Sequence, residues 1–202
     1  LVQLARDETS SSPEPLDFRN VVHSAVDRVR LRGHGLLFDV ELNPFYVVGD
    51  SDTLERAVTN LLDNAVKWSP PGGTIRVQLE GDRLRVADQG PGISEADMPF
   101  IFDRFYRGDS ARQTPGTGLG LSIVAQTVTQ HGGWIRAGRS AQGGAEFTIQ
   151  LPGATSLEEL REPAPSSGPA QSSATPPATA SAAASAPAPP VGSLADTGRK
   201  RQ

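Results

Sequence analysis

Large apolar residues run out near residue 153. From about Glu162 the sequence is almost wholly Ala, Pro and Ser, closing on the basic run Gly198-Arg-Lys-Arg-Gln202. Such a stretch cannot bury enough surface to offset its ordering entropy, so residues 154–202 read as a disordered tail. At the other end, Leu1, Leu4 and Ala5 share helical spacing before the chain breaks into Thr-Ser-Ser-Ser-Pro13. Residues 1–13 therefore read as the end of an upstream helix and a linker. The chain opens on Leu1 rather than Met, and reads as a piece of something longer. Whatever folds has to be built from residues 14–153, a length suited to one domain.

Composition excludes several classes. A net charge of −4 lacks the basic footprint that phosphate backbones require, so no nucleic-acid partner is expected. Cysteine is absent, which removes disulfide frameworks, zinc–thiolate sites and thiol nucleophiles. No apolar run approaches the ~18 residues that would cross a bilayer, and no signal peptide is visible.

Periodicity organises the core. Val21, Val22, Ala25, Val26 and Val29 form one helical stripe in residues 18–30. Strands are expected at 36–41 and 45–48, then a long helix over 52–68 that Pro70-Pro-Gly-Gly73 ends. Residues 74–79 and 83–88 alternate as a hairpin around Glu80-Gly-Asp82. A third helix over 119–131 stops at Gly132-Gly133, and strands at 134–137 and 145–151 complete the domain. The expected fold is α+β: a two-layer sandwich of a mixed β-sheet with three main helices on one face.

The second helix carries two stripes. Leu54, Val58, Leu61, Leu62 and Ala65 should face the sheet, while Arg56, Asn60, Asn64 and Lys67 share another face. A solvated face is the bland alternative, but asparagine is a poor helix former and Lys or Glu would serve that purpose better. An amide oxygen suits Mg²⁺, which prefers oxygen ligands and keeps several waters when it travels with phosphates. Lys67 would neutralise phosphate charge.

Asp88 closes a strand on the same side as Leu84 and Val86, where a carboxylate is costly unless it finds a partner. It either caps the next turn or accepts a hydrogen bond from a ligand. Gly90 and Gly92 then let the backbone approach a bound group closely. Residues 93–115 are long, charged and loop-rich, and read as a flexible lid. Within it, Phe102 is expected as a core anchor, and Arg107 suits a developing phosphoryl charge. Arg104 and Arg112 are weaker candidates for that role.

Gly116-Thr-Gly118-Leu-Gly120 precedes a helix, so backbone amides there can cradle phosphate. A dinucleotide fold would need a strand directly before the glycines, and Asp109-Ser-Ala-Arg-Gln-Thr-Pro115 does not read as one. His131 sits at a helix end, where capping explains it. Neither His23 nor His34 has the surroundings of a phosphoacceptor.

Taken in order, Asn60-Leu-Leu-Asp-Asn64-Ala-Val-Lys67, Asp88-Gln-Gly-Pro-Gly92, Phe102-Asp-Arg-Phe-Tyr-Arg107 and Gly116-Thr-Gly-Leu-Gly-Leu121 resemble the N, G1, F and G2 boxes of the catalytic ATP-binding domain of bacterial sensor histidine kinases. The resemblance covers roughly residues 16–152. It implies an ATP- and Mg²⁺-binding domain that phosphorylates a histidine. Asn60, Lys67 and Arg107 would be catalytic and Asn64 the magnesium ligand, with Asp88 recognising adenine. The nucleotide would be held by Asn60, Asn64, Lys67, Trp68, Asp88, Gly90, Gly92, Ile93, Phe105, Tyr106, Arg107, Gly116, Thr117, Gly118, Leu119, Gly120 and Leu121. Many relatives have Tyr where Trp68 stands.

By the same resemblance the acceptor histidine lies in a dimerisation domain absent from this chain, so the chain alone should not phosphorylate itself. The implied partners are that domain and a cognate response regulator, within a homodimeric plasma-membrane kinase that keeps this domain in the cytoplasm. An ATP-hydrolysing relative of the same superfamily would carry a glutamate where Asn60 stands, and a binding-only module is the remaining alternative. The Ala, Gly, Pro and Arg bias fits a GC-rich actinobacterial source.

Overall fold

The helical stripes become buried faces. In the computed structural model, which describes residues 13–108 and 116–161, α1 (Phe18–Arg30) buries Phe18, Val21, Val22, Ala25, Val26 and Val29. Its start is set by Asp17, whose carboxylate accepts from the Arg19 amide at 3.0 Å. After β2 (Leu37–Leu42) and β3 (Tyr46–Gly49), α2 (Ser51–Trp68) starts the same way, with Asp50 accepting from the Thr53 amide at 2.8 Å. Pro70 prevents its continuation. Besides the expected stripe, α2 also buries Ala57. The third long helix, here α3 (Gly120–Gln130), stops at His131 and Gly132, whose φ of 73° suits only glycine without strain.

The main sheet has five strands in the order β2-β4-β5-β7-β6. Its strands β4 (Thr74–Glu80), β5 (Arg83–Ala87), β6 (Trp134–Arg139) and β7 (Ala145–Gln150) pair antiparallel, while β2 runs parallel to β4. The sheet is therefore mixed, and the fold α+β as expected. Strict alternation puts Ile75, Val77, Leu79, Leu84, Val86, Phe147 and Ile149 on one buried face. The helices cover that face, with α2 packed between α1 and α3. The opposite face is polar and stitched across strands, Arg76 to Asp39 at 2.9 Å and Gln78 to Glu41 at 2.7 Å.

Two elements depart from expectation. β3 does not join the main sheet; it pairs antiparallel with β1 (Glu14–Asp17) in a separate two-stranded ribbon. Glu14-Pro-Leu-Asp17 shows no alternation, and its proline permits only an edge position. The domain also runs past residue 153. Tyr46 and Ala154 exchange backbone hydrogen bonds at 2.8 and 2.9 Å, and α4 (Leu157–Arg161) packs on β3. Residues 154–161 thus belong to the folded domain rather than to the tail. The helix end and linker expected over residues 1–13 (all but Pro13), the lid tip with Arg112 and the tail from Glu162 onward lie outside the described residues.

Candidate functional site

One cleft of about 350 Å³ opens between α2, the end of β5, the segment after it and the start of α3. From α2 it receives Asn60, Asp63, Asn64, Lys67 and Trp68. These are the polar stripe of that helix, turned away from the buried leucines. The Trp68 indole N–H donates to Oδ1 of Asn64 at 3.1 Å, and the Lys67 ammonium lies 5.0 Å from the centre of the indole ring. Burial lowers the Lys67 pKa, and the nearby Arg107 guanidinium lowers it further. Two cations lining one cleft favour an anion there.

Asp88 forms the deep end. It is 3% exposed, and Oδ1 alone accepts both the Gly90 and the Ala145 amides, at 2.8 and 3.0 Å. Its carbonyl accepts from the Ser140 hydroxyl at 2.9 Å, so the residue is tied on three sides. No described residue donates to Oδ2. Burial raises the Asp88 pKa, and the Ala145 and Gly90 amides oppose that rise. A buried carboxylate with one oxygen saturated and the other open is a directional acceptor. Gly144 makes this possible, because a Cβ there would lie 2.2 Å from the Asp88 carbonyl oxygen.

The segment after β5 forms the side wall. Gly92 takes a φ of 79° and Ile93 packs against the core. Asp97 knots this wall: it accepts from the Tyr106 hydroxyl and the Ser94 hydroxyl, both at 2.7 Å. Those two bonds, Tyr106 first, hold its carboxyl below the usual carboxylate range. Phe102 meets Phe147 edge-on with centroids 6.5 Å apart, the anchoring expected of it.

The remaining wall is the start of α3. Gly118 has a φ of 73° and a Cβ there would lie 2.7 Å from the Phe105 carbonyl carbon; Phe105 N–H donates back to the Gly118 carbonyl at 3.0 Å. No side chain caps α3, so its first amides remain available to an anion.

Most of the residues singled out from sequence converge here: Asn60, Asn64, Lys67, Trp68, Asp88, Gly92, Ile93, Tyr106, Arg107, Gly116, Thr117, Gly118, Gly120 and Leu121 all line the cleft. Three do not. Gly90 is required by packing, since a Cβ would sit 2.6 Å from the Trp68 carbonyl oxygen. Phe105 is 69% exposed with a φ of 66°, and serves through its backbone. Leu119 is the cap residue of α3 and holds Ser122 through its carbonyl at 2.9 Å. Conversely, Asp63, Asp97, Ile101, Gly108, Ala145 and Phe147 line the cleft without having been expected. Among the described residues no cluster of His, Cys, Asp or Glu could hold a metal by itself. A cation here would have to arrive with most of its oxygens.

Known proteins share this sequence pattern and fold. The family model of the histidine kinase-, DNA gyrase B-, and HSP90-like ATPases matches residues 49–155. The chain is 45% identical over 163 residues to the signal transduction histidine-protein kinase/phosphatase MprB of Mycolicibacterium smegmatis, an alignment covering 76% of this chain and 33% of that protein. The chain thus spans about a third of the length of this curated relative. A solved mycobacterial sensor histidine kinase MprB superposes with a TM-score of 0.66 at 44% identity, covering 69% of this chain and 98% of that one. The ATP binding domain of PrrB from Mycobacterium tuberculosis gives a TM-score of 0.58 at 25% identity, with 71% and 99% covered. The chain belongs to the histidine kinase-, DNA gyrase B-, and HSP90-like ATPase family, on its histidine kinase branch.

Proposed function

We propose that the cleft binds Mg·ATP and presents its γ-phosphate to a histidine on the dimerisation domain of the same kinase, from which a response regulator is phosphorylated. The observation that carries this reading is Asp88. Its Oδ1 is saturated by two backbone amides, so only Oδ2 is left to accept, and an adenine amino group is the matching donor. Guanine places an oxygen there and would be repelled.

The other end of the cleft suits a triphosphate. The start of α3, with its uncapped amides, lines the cleft together with Lys67 and Arg107. An anion bound beside Lys67 would oppose the lowering of its pKa by burial and Arg107. The donor set also fits Mg²⁺: one neutral amide oxygen, from Asn64, with no competing carboxylate cluster among the described residues. When bound, the cation would neutralise charge across the phosphates, the main requirement of phosphoryl transfer. Asn60 would sit beside it, and Trp68 and Tyr106 would offer aromatic surface.

Hydrolysis is disfavoured by two features. Asn60 cannot act as a base, and Glu55 is held by Arg28 at 2.6 Å and does not line the cleft. The intact kinase in this reading is a homodimeric plasma-membrane protein with this domain on the cytoplasmic side. Among the described residues no helix is long and apolar enough to cross a membrane.

Calorimetric titration with Mg·ATP and Mg·GTP tests the base site. Saturable ATP binding with none of GTP is expected. In Asp88→Asn the amide oxygen keeps the two backbone bonds and the NH₂ turns to the cleft, so ATP affinity should fall roughly 10- to 100-fold, as for a hydrogen bond to a charged group. Equal binding of both nucleotides by the wild type would overturn the assignment. Transfer of labelled phosphate to a separately supplied dimerisation segment tests the rest.

A further inference from the structure

The side-chain amide of Asn64 has two ends of nearly equal shape and opposite chemistry. One is an acceptor oxygen, the other a donating NH₂. A divalent cation can use only the oxygen, so half of the amide's orientations are useless to it. Something in the cleft has to choose.

Trp68 lies four residues on along α2, on the same face. Its indole nitrogen is 3.1 Å from Oδ1 of Asn64. An indole N–H donates and never accepts, so this bond exists only when the oxygen end is turned toward it. A flipped amide would set NH₂ against N–H and lose the bond. The oxygen also has a second lone pair, and both residues line the cleft. Trp68 is itself held. Lys67 lies over its ring at 5.0 Å, and its carbonyl is packed so closely under Gly90 that a Cβ there would approach to 2.6 Å.

We propose that Trp68 is a positioning residue: its indole N–H fixes the Asn64 amide so that the oxygen meets the divalent cation of a bound nucleotide. The inference rests on the reading of Asn64 as the magnesium ligand. It also gives this residue a task that phenylalanine, aromatic but without an N–H, cannot perform.

Two measurements on the whole chain test it. The first needs no nucleotide. The protein has two tryptophans, and Trp134 lies on β6, stacked with Arg136 at 4.7 Å. In ¹⁵N-tryptophan spectra, Asn64→Ala should move the Trp68 indole N–H resonance and speed its exchange, leaving that of Trp134 in place. An unmoved Trp68 resonance would overturn the proposal.

The second is the ratio of ATP affinity with Mg²⁺ to that with EDTA, taken within each variant. Asn64→Ala should abolish the gain from Mg²⁺. Trp68→Phe should cut it about two- to tenfold, the worth of one ordinary hydrogen bond. If Asn64→Ala abolishes the gain while Trp68→Phe preserves or enlarges it, the positioning role falls and the magnesium reading stands. Should Asn64→Ala keep the full gain, the magnesium reading itself fails and the proposal goes with it.

Discussion

Asp88 has a charge state that bears on folding and on binding with opposite signs. Burial raises its pKa in the folded protein. A group raised in this way favours the folded state below its unfolded pKa and loses that contribution as pH rises through the folded value. For nucleotide the sign reverses. The proton goes to Oδ2, because Oδ1 is engaged by two amides, and a protonated Oδ2 meets the adenine amino group as a second donor. Lowering the pH into the window just above the ordinary carboxylate value of 3.8 should therefore weaken ATP binding while this residue adds stability. The measurement is ATP affinity and urea stability from pH 7 downward, each read as wild type minus Asp88→Asn. Both differences moving the same way would refute the assignment. Sequence alone made this aspartate suspicious, because it shares a face with Leu84 and Val86. The amide of Ala145, 57 positions on, was not readable there. Ala145 and Phe147 escaped notice for the same reason: β7 becomes a neighbour of β5 only after folding. Phe105 shows the converse limit. Its motif placed it near the site, but a backbone φ of 66° leaves its ring exposed.

At the scale of elements, strong periodicity was legible and weak pairing was not. The three long helices and the strands of the main sheet followed from stripes and alternation, with ends shifted by a residue or two. The ribbon of β1 and β3 and the short α4 had no such pattern, since they depend on Tyr46 pairing with both Leu16's neighbour Asp17 and Ala154. His131 belongs to the same class. Beyond ending α3, its ring spans two helices: Nδ1 bonds the Thr127 carbonyl at 2.8 Å and Nε2 accepts the Asp50 amide at 3.2 Å. That sets the neutral ring with its proton on Nδ1. Gly49 lies directly beneath, and a Cβ there would come within 2.5 Å of the ring. His131→Ala should cost about 1–3 kcal/mol by removing the bonds its ring makes to the Asp50 amide and the Thr127 carbonyl. Gly49→Ala should cost a similar ~1–3 kcal/mol by overpacking. The double variant removes the clash with the ring, so its loss should be smaller than the sum of the two. Denaturant unfolding of all four proteins checks this, and strict additivity would mean the two residues do not share a contact.

The cleft draws its parts from separate elements of the domain. The base site hangs on β5 and β7, the asparagines on α2, and the phosphate cradle on the start of α3. Between the cradle and the wall after β5, the Phe105 amide donates to the Gly118 carbonyl at 3.0 Å, and Arg104 bonds Gln126 at 2.8 Å outside the cleft. A nucleotide bound as proposed would brace all of these parts at once, and would do so only in the folded state. Ligand at 100 times its dissociation constant should then add about 2.7 kcal/mol to the unfolding free energy. For a domain of this size each kcal/mol raises the midpoint by roughly 2–4 °C, so the shift should be about 5–10 °C. Mg·ATP should give this shift in a thermal scan and Mg·GTP should not. Chelating Mg²⁺ should reduce it at the same ATP concentration, and Asp88→Asn, with its roughly 10- to 100-fold weaker affinity, should cut it to about 0.4–1.4 kcal/mol, roughly 1–6 °C. A shift of equal size with GTP would mean that the triphosphate alone does the bracing, and the deep end of the cleft would lose its assignment as a base site.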